Sequence, residues 1–420
     1  VFLALDISIC LLKNNYHMKL DLEYIRQFFP ILKTKAYGYP LVYLDNAATT
    51  QKPQSVIDAL LYYYTHLNAN VHRANHYLAH QATAAMEETR KSVQTFIHAK
   101  FPEEIIFTTG TTASINLVAS SYGNQFIGPE DEIVVSTMEH HSNVVPWQIC
   151  CKAKGAQLKF VPINEHGELE LTHLKKILTY KTKLVAITYV SNNLGTINPV
   201  QQIIAAAHQV GAKVLIDAAQ AAAHLPIDVQ ALDCDFLAFS GHKLYGPTGV
   251  GVLYGKKDIL EAMPPYQSGG EMVKTVNFKE SIYHSLPYKF EAGTPNIANI
   301  IAFKEAINFI KQIDYSAIMV HENELLQAAE KGLSALQNVH IVGQASQKIG
   351  IVSFTIHGLH HVDAGLLLDA QGIAVRTGSG CAQPLMEQLG ITGVVRVSFG
   401  IYNTLEEVER LIKAVSKLRY

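Results

Sequence analysis

Short runs of β-branched and aromatic residues recur along the chain at 104–107, 132–135, 159–161, 184–187, 213–217, 236–239 and 251–254. Unbroken apolar runs of this length predict strands buried on both faces. Between most of them lie stretches with the period of amphipathic helices, at 81–98, 115–122 and 200–210. Strands alternating with helices predict an α/β fold in which a mostly parallel central sheet is flanked by helical layers. Beyond Glu291-Ala292-Gly293-Thr294-Pro295-Asn296 the pattern changes to long helices at 297–313 and 316–336. Strand-like segments at 350–354 and 394–398 and a closing helix at 405–417 follow, the pattern of a smaller α+β unit. The division expected is a large domain over 41–300 and a small C-terminal domain over 301–420.

Composition narrows the class. A chain of 420 residues exceeds what one hydrophobic core usually serves. With 34 basic against 36 acidic residues and a net charge of −2, it carries no electrostatic footprint for nucleic acid. The apolar stretch 1–12 contains Asp6, is too short to span a bilayer and is poorly flanked for a signal peptide. Residues 1–17 are expected to be a non-native or disordered extension, and no membrane association is expected. An amphipathic helix follows Met18 and stops at Pro30. Five cysteines (Cys10, Cys150, Cys151, Cys234, Cys381) without Cys-x-x-Cys spacing disfavour a disulfide framework and a structural zinc site, and suit a reducing cytoplasm. His357, His360 and His361 lack an acidic or thiol cluster, and adjacent side chains on a strand would point apart, so no metal site is expected.

The chemistry concentrates where apolar runs end. One stops at Ser240-Gly241-His242-Lys243 and another at Asp217. Ligands of parallel sheets bind beyond the carboxyl ends of the strands. A lysine and an aspartate there suit a site for pyridoxal phosphate, the amine forming a Schiff base and the carboxylate keeping the pyridine nitrogen protonated. A surface lysine and a helix-capping aspartate would give the same pattern. Thr108-Thr109-Gly110-Thr111-Thr112-Ala113-Ser114 follows a strand and opens a helix, so hydroxyls and free N–H groups converge as a phosphate cup. Met138-Glu139-His140-His141 follows the next strand, where a histidine can stack on a flat ring. Arg376-Thr377-Gly378-Ser379-Gly380-Cys381-Ala382-Gln383-Pro384 reads as a mobile loop carrying one thiol. Arg396 lies inside an apolar strand and needs a carboxylate partner, either a substrate carboxylate or an internal acid.

Together these motifs resemble the cysteine desulfurases of fold type I, and among them the group II, sulfur-mobilisation enzymes. The resemblance runs from about Tyr43 to Ile412. It includes Tyr43-Leu44-Asp45-Asn46-Ala47-Ala48, Val71-His72-Arg73, Gly110-Thr111-Thr112, Val190-Ser191-Asn192 and Asp217-Ala218-Ala219-Gln220. Ser240-Gly241-His242-Lys243-Leu244-Tyr245-Gly246-Pro247, Phe290 to Asn296 and Arg376-Thr377-Gly378 complete it. The resemblance implies that Lys243 holds the cofactor, Asp217 pairs with its ring nitrogen, Gln220 meets its phenolic oxygen and His140 stacks on its ring. It implies a phosphate held by Thr111, Thr112, Ser240 and His242, with Thr294 reaching across from a second subunit of a homodimer with shared active sites. Asn192 and Arg396, with Arg376 and His72, would bind the substrate, and Cys381 would be the nucleophile. The segment 18–40 would pack with the small domain. One departure stands out: group II relatives usually have a histidine immediately before the nucleophilic cysteine, where this chain has Gly380.

The implied reaction converts L-cysteine to L-alanine and leaves a persulfide on Cys381. A small sulfur-shuttle protein would carry the sulfur toward iron–sulfur cluster assembly. Selenocysteine lyase, cysteine sulfinate desulfinase, aminotransferase and a catalytically weak cofactor-binding scaffold for assembly partners are the competing readings. The loop thiol and the lack of a second-carboxylate motif count against the aminotransferase, and the retention of Lys243, Asp217, Arg396 and Cys381 together counts against the scaffold.

Overall fold

The structure, a computed structural model, describes residues 20–418; the extension expected over 1–17 lies outside them. The seven apolar runs form one sheet of β1 (Ile105–Thr108), β2 (Glu132–Ser136), β3 (Gln157–Val161), β4 (Thr182–Thr188), β5 (Lys213–Asp217), β6 (Phe236–Ser240) and β7 (Gly251–Gly255). Their spatial order is β1-β7-β6-β5-β4-β2-β3. Every pairing is parallel except the two made by β7, which runs antiparallel to β1 and β6.

Alternate residues of these strands enter different cores. Ile133, Val135, Leu184, Ala186 and Leu215 pack with Ile115, Val118 and Trp147 of helices Thr111–Phe126 and Val145–Lys154. Val134, Val185, Ile187, Val214 and Ile216 pack with the helical layer that includes Tyr77–Phe96, Val200–Gln209 and Ile297–Lys311. Both faces are therefore covered, which is why the runs read as continuous rather than alternating.

Strand register aligns the functional edge. Thr188 pairs with Asp217, and Gly251 pairs with both Ser240 and Thr108, so the carboxyl ends of β4, β5, β6 and β1 lie side by side. A Cβ on Gly251 would fall 2.3 Å from the Cα of Gly110. Only glycine lets the loop after β1 cross there and start its helix over the sheet edge.

A second, antiparallel sheet contains β8 (Val339–Val342), β9 (Ile351–Ile356), β10 (Arg376–Gly378) and β11 (Val394–Ser398), in the order β8-β9-β11-β10. Val352, Phe354, Val395 and Val397 pack with Leu326 and Leu333 of helix Tyr315–Ser334 and with Val408 and Leu411 of helix Leu405–Val415. Val42 and Leu44 join the same cluster.

Three local expectations need correction. The loop read from Arg376 onward begins as edge strand β10, because its backbone pairs with β11. His360 and His361 are not on a strand: they open helix His361–Asp369, and their rings lie 4.1 Å apart. The helix after Met18 is shorter than expected, spanning Leu22–Gln27 behind an Asp21 cap, and a 3₁₀ turn at Pro30–Lys33 follows. Its Arg26 meets Glu407 at 2.9 Å, and the adjacent Phe29 packs on Tyr245 and Tyr402. Among the described residues no helix is long and apolar enough to cross a membrane.

Candidate active site

The carboxyl edge of the large sheet and the second sheet enclose a cavity of about 310 Å³. It is lined by Lys243, Asp217, Gln220, His140, Thr111, Thr112, Ser240, His242, Asn192, Arg376, Arg396 and Cys381. These are all the expected site residues except two. Thr294 is exposed and lies outside the cavity of its own chain. His72 also lies outside it, with its ring near Glu87 (3.2 Å), Glu271 (3.8 Å) and Tyr288.

Lys243 ends a one-turn helix, Gly241–Lys243, directly after β6. Burial brings its amine down to about 8; the Asp217 carboxylate opposes that shift and the Arg396 guanidinium assists it. The turn before it is fastened from one side, since the His242 carbonyl accepts from the Thr50 N–H at 3.1 Å, the Thr49 hydroxyl at 3.0 Å and Lys52 Nζ at 2.8 Å. Asp217 is buried at the end of β5, and its Oδ1 accepts the Ala219 N–H at 2.9 Å. Burial raises its pKa, while that N–H and Lys243 pull it back.

At the start of helix Thr111–Phe126 the Thr111 N–H and hydroxyl meet Ser240 Oγ at 2.8 and 2.7 Å. The first turn of a helix has N–H groups with no intrahelical partner, and here they face the cavity's hydroxyl-rich side. His140 Nδ1 accepts the Ser142 N–H at 3.1 Å, which assigns its proton to Nε2. Burial, with Lys243 nearby, holds this ring down to about 4, so it is neutral at pH 7. Beneath it Glu139 is fully buried, bonded by Ser136 at 2.5 Å and Asn143 at 2.7 Å, and burial pushes its carboxyl up to about 8.

The opposite wall comes from the second sheet. Arg396 is buried, with Nη2 3.2 Å from Asp45 Oδ1, Nη1 donating to the Asn192 carbonyl at 2.9 Å and Nε without a partner. Both carboxylate sources expected for this arginine thus remain available: an internal acid is present, and the Nε–H is among the donors still unused. Cys381 follows Gly380, both at φ near +57°, and its carbonyl accepts the His141 N–H at 2.7 Å. Asn192 Nδ2 donates to the Gly380 carbonyl at 2.7 Å. Cys381 is the exposed one of the four described cysteines, and all four are free thiols. Sequence reasoning passed over Asp45, Lys52 and Glu139. Asp45 and Glu139 stood inside the motifs Tyr43 to Ala48 and Met138 to His141, and an acid beside candidate site residues was the available signal.

The chain is similar to known proteins over most of its length. The model of the aminotransferase class-V family matches residues 42–411. A probable cysteine desulfurase of Halalkalibacterium halodurans is 50% identical over 94% of this chain and 97% of its own length. A cysteine desulfurase of Synechococcus elongatus is 47% identical over 95% of this chain, which spans 64% of that protein's length. Among solved structures, the cysteine desulfurase CsdA of Escherichia coli in its S-sulfonic acid form superposes with a TM-score of 0.88 at 39% identity, covering 96% of this chain and 98% of its own.

Proposed function

Since this chain belongs to the aminotransferase class-V family, among its cysteine desulfurases, we propose that it converts L-cysteine to L-alanine and takes the sulfur as a persulfide on Cys381. The observation that carries this reading is that a strand-end lysine, a buried aspartate, a buried arginine and an exposed thiol share one cavity.

The donor set fits pyridoxal phosphate. Thr111, Thr112, Ser240 and His242 suit its phosphate, neutral His140 suits the face of its ring, Asp217 its ring nitrogen and Lys243 its aldehyde carbon. When bound, the cofactor supplies an electron sink for the substrate's α-carbon. Lys243, with its amine near 8, is the base that moves the Cα proton at neutral pH. Arg396 and Asn192, with Arg376, hold the substrate carboxylate. Cys381 attacks as the thiolate: its sulfur bonds the substrate sulfur, the substrate C–S bond breaks, and Cβ gains a proton to become the methyl group of alanine. The balance is one thiol and one cysteine to one persulfide and one alanine.

Further parts of the reading follow the family resemblance. The chain works as a homodimer in the cytoplasm, with Thr294 completing the partner's phosphate site and His72 among the substrate-binding residues. Its domains divide near residue 300, and a small sulfur-shuttle protein takes the persulfide toward iron–sulfur assembly. Four free described thiols accord with a reducing compartment. The test is alanine formation from cysteine by the purified protein, with mass spectrometry locating the extra sulfur. No alanine, or alanine without sulfur on the protein, overturns the reading.

A further inference from the structure

Gly380 occupies the position directly before the nucleophile, and a Cβ there would fall 2.1 Å from Asn193 Oδ1, 2.8 Å from its Cγ and 2.9 Å from its Nδ2. The Asn193 amide therefore fills the space that a side chain at 380 would take. Its Nδ2 donates to the Ser379 carbonyl at 2.8 Å, while its Oδ1 is buried without a partner. An unpaired buried amide oxygen costs stability, and a position that keeps one needs a compensating role. That role is found at the other end of the same amide. The Asn193 backbone is itself fixed, its carbonyl accepting the Ser353 hydroxyl of β9 at 2.6 Å.

We propose that Asn193 is a positioning residue that latches the Cys381 loop closed, and that Gly380 is the matching vacancy that lets the latch engage. Asn192 holds the neighbouring Gly380 carbonyl, but in the proposed reaction Asn192 must also serve the substrate carboxylate. When its amide turns to the substrate, Asn193 remains as the side chain that fastens the loop from this turn. The chain thereby keeps the thiol in place during sulfur transfer without a side chain at position 380. Holding a nucleophile within reach is worth about a hundredfold per ångström of misplacement. The proposal rests on the desulfurase reading for its consequence, but its geometry can be tested without turnover.

The experiment is a cycle of Asn193→Ala, Gly380→Ala and the double variant, with Asn193→Asp as a second variant that keeps the volume and removes the donor. Cofactor-loaded protein without substrate is followed by deuterium uptake in a peptide spanning 376–386, and persulfide formation is followed in a single turnover with cysteine. Asn193→Ala, Asn193→Asp and Gly380→Ala should each raise uptake in that peptide and slow persulfide formation by about ten- to a hundredfold, with visible cofactor absorbance retained. The double variant should lose about tenfold less than the product of the single losses, because the added Cβ no longer meets the amide. Wild-type uptake in both Asn193 variants, or fully multiplicative losses in the cycle, overturns the latch. If wild type forms no persulfide, the desulfurase reading fails while the uptake measurements still decide the latch.

Discussion

Arg376 and Arg396 stand directly opposite each other on neighbouring antiparallel strands, a like-charge pair that the Asp45 carboxylate holds together at 2.8 Å and 3.2 Å. Like charges facing across a ladder destabilise a sheet. Asp45 supplies the compensation from a segment more than 300 residues away in sequence. A substrate carboxylate arriving at Arg396 therefore meets a guanidinium already partly neutralised.

Asp45→Asn should cost the substrate-free protein about 1–3 kcal/mol, because two cations then face each other without their shared anion. A carboxylate ligand should restore part of that loss. The increase in melting temperature on adding saturating L-alanine should be larger in the variant than in wild type, and an equal or smaller increase would show that the ligand does not take over the role of Asp45.

Arg396→Lys keeps the charge but loses the planar fork that meets a carboxylate in two contacts. The KM for cysteine should rise about ten- to a hundredfold, the loss of a charge-assisted bond, with cofactor occupancy intact. Saturation at wild-type cysteine concentrations would make Arg396 a purely internal partner of Asp45.

The Lys243 amine, lowered by burial to about 8, predicts how the apoprotein captures cofactor. Only the unprotonated amine attacks an aldehyde, and its fraction grows with pH until the pKa is passed. The rate of visible-band formation with pyridoxal phosphate should climb about tenfold per unit below that pKa and level off above it, whereas an unperturbed lysine would keep climbing to about 10.4. Lys243→Ala should show no such band and no turnover. A pyridoxyl group trapped by borohydride on another lysine would sink the assignment.

The fold was legible where burial is two-sided. Runs such as Ile133 to Val135 and Val214 to Ile216 announce central strands because each residue enters one of two cores. The edge strand of the second sheet was less visible: Arg376–Gly378 contains no apolar side chain and is a strand only because β11 pairs with it. The site divides in the same way. Lys243 and Asp217 show themselves at the ends of apolar runs, whereas the roles of Asp45 and Asn193 depend on contacts made across 351 and 186 positions of sequence. Local pattern carries no trace of such pairings.

Cys381 is predicted to carry the persulfide, because it is the exposed thiol of the described four and lines the cavity that holds Lys243 and Arg396. The alternatives are chemically poor: burial pushes the Cys151 thiol up to about 11, and it raises those of Cys150 and Cys234 as well, which starves each of thiolate at neutral pH. Cys381→Ser preserves the size and polarity of the loop but replaces a sulfur nucleophile with a hydroxyl that stays protonated. The variant should bind cofactor, show a spectral change on adding cysteine and form alanine at least about a hundredfold more slowly than wild type, a loss on the scale expected when a nucleophile is removed. Selenocysteine and cysteine sulfinate should retain more activity than cysteine does, since their leaving atoms depart with less help. Mass spectrometry after cysteine treatment should place the extra sulfur on the peptide containing Cys381 in wild type and nowhere in the variant. Sulfur on Cys150, Cys151 or Cys234 would overturn the assignment to Cys381, and a variant that desulfurates cysteine at the wild-type rate would replace the persulfide mechanism with direct lyase chemistry.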